Sequence, residues 1–206
     1  MSPETASGWD RCYRDGLTPW DTGSPSEELR RVLEEERLPP CRALELGCGT
    51  GTNAVHLARL GFAVTAIDVS LRALELARHR ADAEGVAVDF LLGDLGSSVL
   101  GCGPFDFVFD RGCYTAVRLS GLTGYLANLR RLTRPGSRFL LLAASAAEVS
   151  RGGPARVHEE EIRADFQQLF AIETIRPFRS RSTAHPEGVL AWSCRLTRRE
   201  PAGASS

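Results

Sequence analysis

No stretch of this 206-residue sequence is apolar for long enough to cross a bilayer. Met1 to Asp10 is polar and lacks the apolar run of a secretory signal, which points to a cytoplasmic location. An excess of charge is missing as well: 25 basic residues meet 26 acidic ones, giving a net charge of −1 and a pI near 6.4. That balance gives no reason to expect a nucleic-acid partner or an anionic membrane surface. Paired cysteines are missing too. Cys12, Cys41, Cys48, Cys102, Cys113 and Cys194 are irregularly spaced and form no C-x-x-C pair. They read as reduced thiols, not as a disulfide framework or a metal site. No internal repeat and no second domain is visible, and the length suits one domain with a full core.

What is present is centred on Ala43-Leu44-Glu45-Leu46-Gly47-Cys48-Gly49-Thr50-Gly51. This reads as a buried strand running into a glycine-rich turn, with a helix from Asn53 to Leu60. Glycines permit a tight turn and let backbone N–H groups approach a ligand closely. Glu45 is an acid inside an otherwise apolar strand, where a carboxylate is costly unless a partner meets it. A cationic ligand beside the turn would do so. The dinucleotide fingerprint G-x-G-x-x-G fits Gly47 and Gly49, but its last glycine would fall on Thr52.

Strand and helix patterns then alternate. Strands are expected at Ala43–Leu46, Phe62–Ile67, Val86–Leu92, Phe105–Phe109 and Arg138–Ala143. A helix capped by Ser70 runs to about Glu84, and another spans Leu122–Leu132, closed by Pro135-Gly136. Upstream, Trp9–Arg14 is a short helix. Ser24 with Pro25 and Glu27 marks the start of another helix that ends before Pro39-Pro40. Near the end, Glu159–Leu169 is helical, and Phe170–Ile175 and Val189–Thr197 are strands joined by a link too short for a helical crossover. Those two are expected to be antiparallel. Met1–Ser7 and Pro201–Ser206 are expected to be loose. The pattern predicts an α/β, Rossmann-like, doubly wound sheet of seven strands, mostly parallel with a carboxyl-terminal antiparallel hairpin. The whole of 1–206 is one domain, with 1–38 as a helical cap and 41–197 as the α/β core. Ligands of such sheets bind at the carboxyl ends of the strands. Glu45, Asp68, Asp94 and Asp110 all fall at or just beyond those ends.

The turn reads E-x-G-x-G-x-G, and this resembles motif I of the class I S-adenosylmethionine (SAM)-dependent methyltransferases. Trp9-Asp10-Arg11-Cys12-Tyr13 and Thr18-Pro19-Trp20-Asp21-Thr22-Gly23 precede it at the spacing of the thiopurine, thiol and halide methyltransferase group. Phe105-Asp106-Phe107-Val108-Phe109-Asp110-Arg111-Gly112-Cys113 is similar to the fourth-strand motif of bacterial members, and Leu132-Thr133-Arg134-Pro135-Gly136 to the turn before their fifth strand. The resemblance covers about Trp9 to Ala143. It implies SAM as cofactor and S-adenosylhomocysteine as product. Trp9, Tyr13 and Trp20 would cover the cofactor, and Glu45, Gly47, Gly49, Gly51 and Asn53 would form the turn that cradles it. Asp68 would accept from the ribose hydroxyls and Val69 would pack on adenine. The Asp94-Leu95 pair would read the adenine edge, and Asp110 would close the reactive end. Arg111 and His185 are the candidates for favouring a thiolate nucleophile.

The expected reaction is in-line methyl transfer to a small-molecule nucleophile, a thiol or a similarly soft one. Transfer to oxygen or nitrogen of a small molecule, or SAM binding without turnover, are the alternatives. The (Asp/Asn)-Pro-Pro-(Tyr/Phe) motif of amino-methylating DNA enzymes is absent: Asp110-Arg111-Gly112-Cys113 stands there. A monomer or weak homodimer without bound metal is expected.

Overall fold

The computed structural model describes residues 5–148 and 155–200. Along the chain come α1 (Ala6–Arg14), α2 (Glu27–Glu36), β1 (Arg42–Leu46), α3 (Thr52–Arg59), β2 (Ala63–Asp68), α4 (Leu71–Ala83) and β3 (Asp89–Leu92). They are followed by β4 (Phe105–Arg111), α5 (Cys113–Leu132), β5 (Thr133–Ala144), α6 (Glu159–Phe166), β6 (Phe170–Ser180) and β7 (Val189–Arg198). The seven strands form one sheet in the order β3-β2-β1-β4-β5-β7-β6. The pairs from β3 to β5 are parallel, whereas β7 runs antiparallel to β5 and to β6. Strand order reverses between β1 and β4, so the ligand crevice of this topology opens at their carboxyl ends.

Period-two alternation sorts the strand side chains onto two cores. Leu44, Leu46, Val108, Phe139 and Leu141 face a core completed by Tyr114, Tyr125 and Leu129 of α5 and by Phe166 of α6. Ala43, Phe107, Phe109, Leu140 and Leu142 face the other, with Leu29, Val32 and Leu33 of α2 and Ala54 and Leu57 of α3. Both faces of the central strands are thus buried, as parallel sheets require. Helix α2 belongs to this second core. It is also fastened to the hairpin by Glu28, whose Oε1 accepts from Ser193 Oγ and Arg176 Nη2, each at 2.5 Å.

Several boundaries differ from expectation for local reasons. The cap of α2 is Ser26, not Ser24. Its Oγ accepts from Leu29 N–H, and its own N–H is held by Asn53 Oδ1 at 2.8 Å. Strand β3 starts at Asp89 because the Val86 N–H is spent on the Ala81 carbonyl, closing α4. Helix α5 starts at Cys113, nine residues before Leu122, because Asp110 caps it from the end of β4. Pro135-Gly136 lies within the span of β5, and α6 ends at Phe166. Ala6 and Ser7 are helical, while 1–4 and 201–206, expected to be loose, lie outside the described residues.

Candidate functional site

At the end of β1 the chain turns through Gly47, Gly49 and Gly51, whose φ angles are +64°, +54° and +77°. A side chain at any of the three would be strained. It would also collide: a Cβ on Gly49 would lie 2.8 Å from Tyr13 Oη, and one on Gly51 2.9 Å from Ala77 Cβ. Gly47 faces Cys113 at the start of α5 in the same way. The turn is thus pressed between α1, α4 and α5.

Two acids flank it. Asp68, at the end of β2, is buried. Its Oδ2 accepts from Gly49 N–H at 2.8 Å and its Oδ1 from Ser70 N–H at 2.9 Å. Burial raises its pKa against those bonds and the Val69 N–H. Each oxygen keeps a lone pair for a further donor. Glu45 is 2% exposed. Its Oε1 accepts from Asn53 Nδ2 at 2.9 Å, and its Oε2, equally buried, makes no hydrogen bond among the described residues. Burial pushes its carboxyl up to about 8, opposed by the Asn53 amide, the Ala54 N–H and the Arg111 charge. A buried acceptor without a donor is costly, and a ligand's cationic N–H group would relieve it. Asn53 itself is committed on both sides, to Glu45 and to Ser26. It positions Glu45.

Over the turn lie three aromatic rings. Trp20 meets Trp9 edge-on at 5.5 Å and Tyr13 at 5.9 Å, and its Nε1 donates to Tyr13 Oη at 3.2 Å. Burial holds the Tyr13 phenol neutral. Sequence reasoning missed the groups that fasten this cover. Asp10 Oδ1 accepts from Ser70 Oγ at 2.8 Å and Arg72 N–H at 2.9 Å, so α1 caps α4. Those bonds hold its carboxyl below the usual range. Asp21 Oδ2 accepts from Thr50 Oγ1 at 2.5 Å, and Arg80 Nε donates to the Thr50 carbonyl at 3.0 Å. Partners as far apart as Asp10 and Ser70 leave no local signal.

At the end of β4, Arg111 donates to the Trp20 carbonyl at 3.2 Å and to the Arg181 carbonyl at 3.0 Å. Burial lowers its pKa, while Glu45 and Asp21 oppose that. Thr183 adds two bonds to the Pro19 carbonyl, through its N–H at 3.0 Å and its Oγ1 at 2.9 Å. The β6–β7 link therefore meets the amino-terminal loop around Arg111. His185 lies in that link with its Nδ1 3.5 Å from Glu187 Oε1, and among the described residues no hydrogen bond or ion pair joins its ring to the glycine turn.

The remaining strand-end acids are engaged elsewhere. Asp110 is fully buried; Cys113 N–H, Tyr114 N–H and Tyr125 Oη all donate to it, at 2.9, 3.0 and 2.7 Å. Burial pushes its carboxyl up to about 7, against those donors and the Gly112 N–H. These bonds make Asp110 the cap of α5. Asp94 accepts from Gly96 N–H at 2.8 Å and Ser97 Oγ at 2.7 Å, shaping its own turn, and Leu95 beside it is buried. Val69, at the exit of β2, is half-buried.

Comparison with known proteins matches residues 4–195 to the thiopurine S-methyltransferase family model. A probable thiol methyltransferase 2 of Arabidopsis thaliana is 29% identical over 164 residues, 78% of this chain and 72% of that one. Thiocyanate methyltransferase 1 of Brassica oleracea is 28% identical over 160 residues, 75% of this chain and 70% of that one. A solved structure described by the conversion of a disulfide bond into a thioacetal group during echinomycin biosynthesis superposes with a TM-score of 0.79. It is 29% identical and covers 95% of this chain and 93% of its own. The chain belongs to the thiopurine S-methyltransferase family and is an S-adenosyl-L-methionine-dependent methyltransferase.

Proposed function

We propose that this enzyme methylates the sulfur of a small-molecule thiol, or an anion of similar softness. The observation that carries the reading is the Arg111 guanidinium, half-buried at the carboxyl end of β4 where both loops converge. The carboxylates of the site already have tasks: Asp21 accepts from Thr50, Asp68 from Gly49 and Ser70 and Asp110 from α5, while Glu45, held by Asn53, keeps its free oxygen for the cofactor's cationic end. Such a site favours an anion and holds no idle base among these acids. That suits a nucleophile that ionises by itself near neutral pH, as a thiol with a pKa of about 8.5 does and an alcohol does not. The sulfur chemistry in the names of the relatives supports the same reading.

The cofactor, when bound, supplies a methyl group already activated on a sulfonium. Glu45 holds its cationic amino-acid end through the unpartnered Oε2. The N–H groups of the glycine turn approach it, Asp68 takes the ribose hydroxyls, Val69 packs on adenine, and Asp94 and Leu95 shape the adenine edge. Trp9, Tyr13 and Trp20 exclude water. Alignment of the nucleophile then accounts for much of the acceleration. Arg111 fixes the two loops and lends positive potential to the thiolate; His185 receives no chemical step. No helix among the described residues is long and apolar enough to cross a membrane. We place the enzyme in the cytoplasm, acting on a small molecule without nucleic acid or membrane, as a monomer or weak homodimer. The test is S-adenosylhomocysteine formation with thiols, thiocyanate and matched phenols and amines. Turnover that tracks the thiolate fraction supports the reading; turnover of phenols or amines alone overturns it.

A further inference from the structure

Helix α5 presents a face that no element of the chemistry described so far uses. Asn128 is 3% exposed and spends its whole amide on one loop. Its Nδ2 donates to the Leu95 carbonyl at 3.0 Å and the Ser98 carbonyl at 2.8 Å, and its Oδ1 accepts from Leu100 N–H at 3.2 Å. One and two turns earlier, Gly124 and Gly121 meet the same loop at Gly96. A Cβ on Gly121 would lie 2.7 Å from Gly96 Cα, and one on Gly124 would overlap the Gly96 carbonyl oxygen. Glycine inside a helix is unfavourable relative to alanine, so this pair needs a packing reason, and backbone-on-backbone contact is one.

The loop so clamped is the exit of β3. It begins with Gly93 N–H on the Asp68 carbonyl at 3.0 Å and carries Asp94 and Leu95. Asp94 spends its carboxylate within this loop, so its turn has a fixed shape and can move only as a body against α5. Asn128 and the two glycines determine where that body sits relative to Asp68.

We infer that Asn128, with Gly121 and Gly124, positions the Asp94–Leu95 turn against the adenine of the cofactor and thereby sets adenine selectivity. The inference rests on the reading that this turn faces adenine. Asn128 is a positioning residue; it reaches the cofactor only through the loop.

The experiment compares S-adenosylhomocysteine with S-inosylhomocysteine, in which a carbonyl replaces the adenine amino group, by titration calorimetry on the full chain. Wild type is expected to prefer the adenosyl ligand about tenfold or more, the scale of one mismatched hydrogen bond. Asn128→Ala is expected to fold and to bring that ratio close to one. Gly124→Ala displaces the loop by steric overlap at the Gly96 carbonyl, removes no hydrogen-bonding side chain and is expected to do the same, which keeps the test intact should Asn128→Ala not fold. Asp68→Asn is the control: it weakens both ligands alike and leaves the ratio unchanged. A ratio near one in wild type sinks the adenine reading of the turn. A wild-type preference that survives in the folded variants sinks the positioning role alone.

Discussion

Replacing Glu45 with Gln separates the cost of a buried acid from its use. The Asn53 amide is oriented by Ser26 N–H on its Oδ1, so its Nδ2 must donate toward residue 45. A glutamine oxygen accepts that bond, and the glutamine NH2 takes the place of the unpartnered Oε2. Shape and the Asn53 contact survive, and the titration disappears. In the wild-type fold the carboxyl titrates at about 8 against an ordinary 4.5. The folded protein therefore keeps a proton that the unfolded chain has already released. Stability from this group is undiminished below about pH 4.5, falls as pH rises through the window, and levels off above about 8. The interval corresponds to a ceiling of about 5 kcal/mol. Without cofactor, Glu45→Gln is expected to melt higher than wild type at pH 8.5 and to match it more closely at pH 5.

Cofactor binding reverses the sign. A cationic ligand needs the ionised carboxylate, so binding below about pH 8 must expel the proton. Wild-type affinity for S-adenosylhomocysteine is then expected to rise up to about tenfold per pH unit between about 6 and 8. Calorimetry in buffers of different ionisation enthalpy should register about one proton released near pH 6.5. Glu45→Gln should bind about 10- to 100-fold more weakly at pH 8, the scale of a lost charge-assisted hydrogen bond, with no such slope. Arg111 and Asp68 also face Glu45, and both remain in the variant. An affinity flat across this range in wild type, or a Glu45→Gln protein that binds as well as wild type, would refute the assignment of Glu45 to the cationic end.

Asp68→Ala should weaken S-adenosylhomocysteine binding by about 1–3 kcal/mol in calorimetry, through unpaired ribose hydroxyls and a loosened Gly49. Asp110→Ala should lower stability in urea denaturation by about 2–3 kcal/mol, since it strips two N–H groups of α5 and the Tyr125 hydroxyl of their acceptor. Arg111→Gln should lower kcat/KM for a thiol about tenfold and move its pH profile alkaline, while Arg111→Lys, which keeps the charge, should retain most of it. An unchanged pH profile in Arg111→Gln would leave Arg111 only the task of joining the two loops.

Much of this architecture is legible before any coordinates. The buried strands announce themselves because both faces of β1, β4 and β5 are apolar, and the antiparallel hairpin follows from the short link before Val189. The glycine turn is legible because each glycine answers a steric demand at one place in the chain. Caps are not. Gly112 stands at the start of α5 without a side chain, so the true cap, Asp110, is hidden as the last acid of a strand. Ser24 and Ser26 carry the same hydroxyl, and what decides between them is the hold of Asn53, 27 residues later, on the Ser26 N–H. The bonds from Gly96 and Ser97 that fix the shape of the Asp94 turn are equally invisible in the sequence. Asp10, Asp21 and Asn128 act on partners distant in sequence, and spacing cannot show that.

The strand-end acids also show why position along a strand is an incomplete guide to role. Leu46 of β1 pairs with Asp110 of β4, so Glu45 and Asp110 lie one step apart in register on neighbouring strands. Side chains alternate between faces, and one step is enough to part them. Glu45 shares its face with Ala43, Phe107 and Phe109, under α3, and accepts a hydrogen bond from the Asn53 amide. Asp110 shares its face with Leu46 and Val108, under α5, and meets the start of that helix and Tyr125. One acid is left a lone oxygen short of a partner at the edge of the crevice; the other has its donors from the protein. Reading parity together with strand ends divides these acids into one with an unpartnered oxygen under α3 and one that caps α5 on the opposite face.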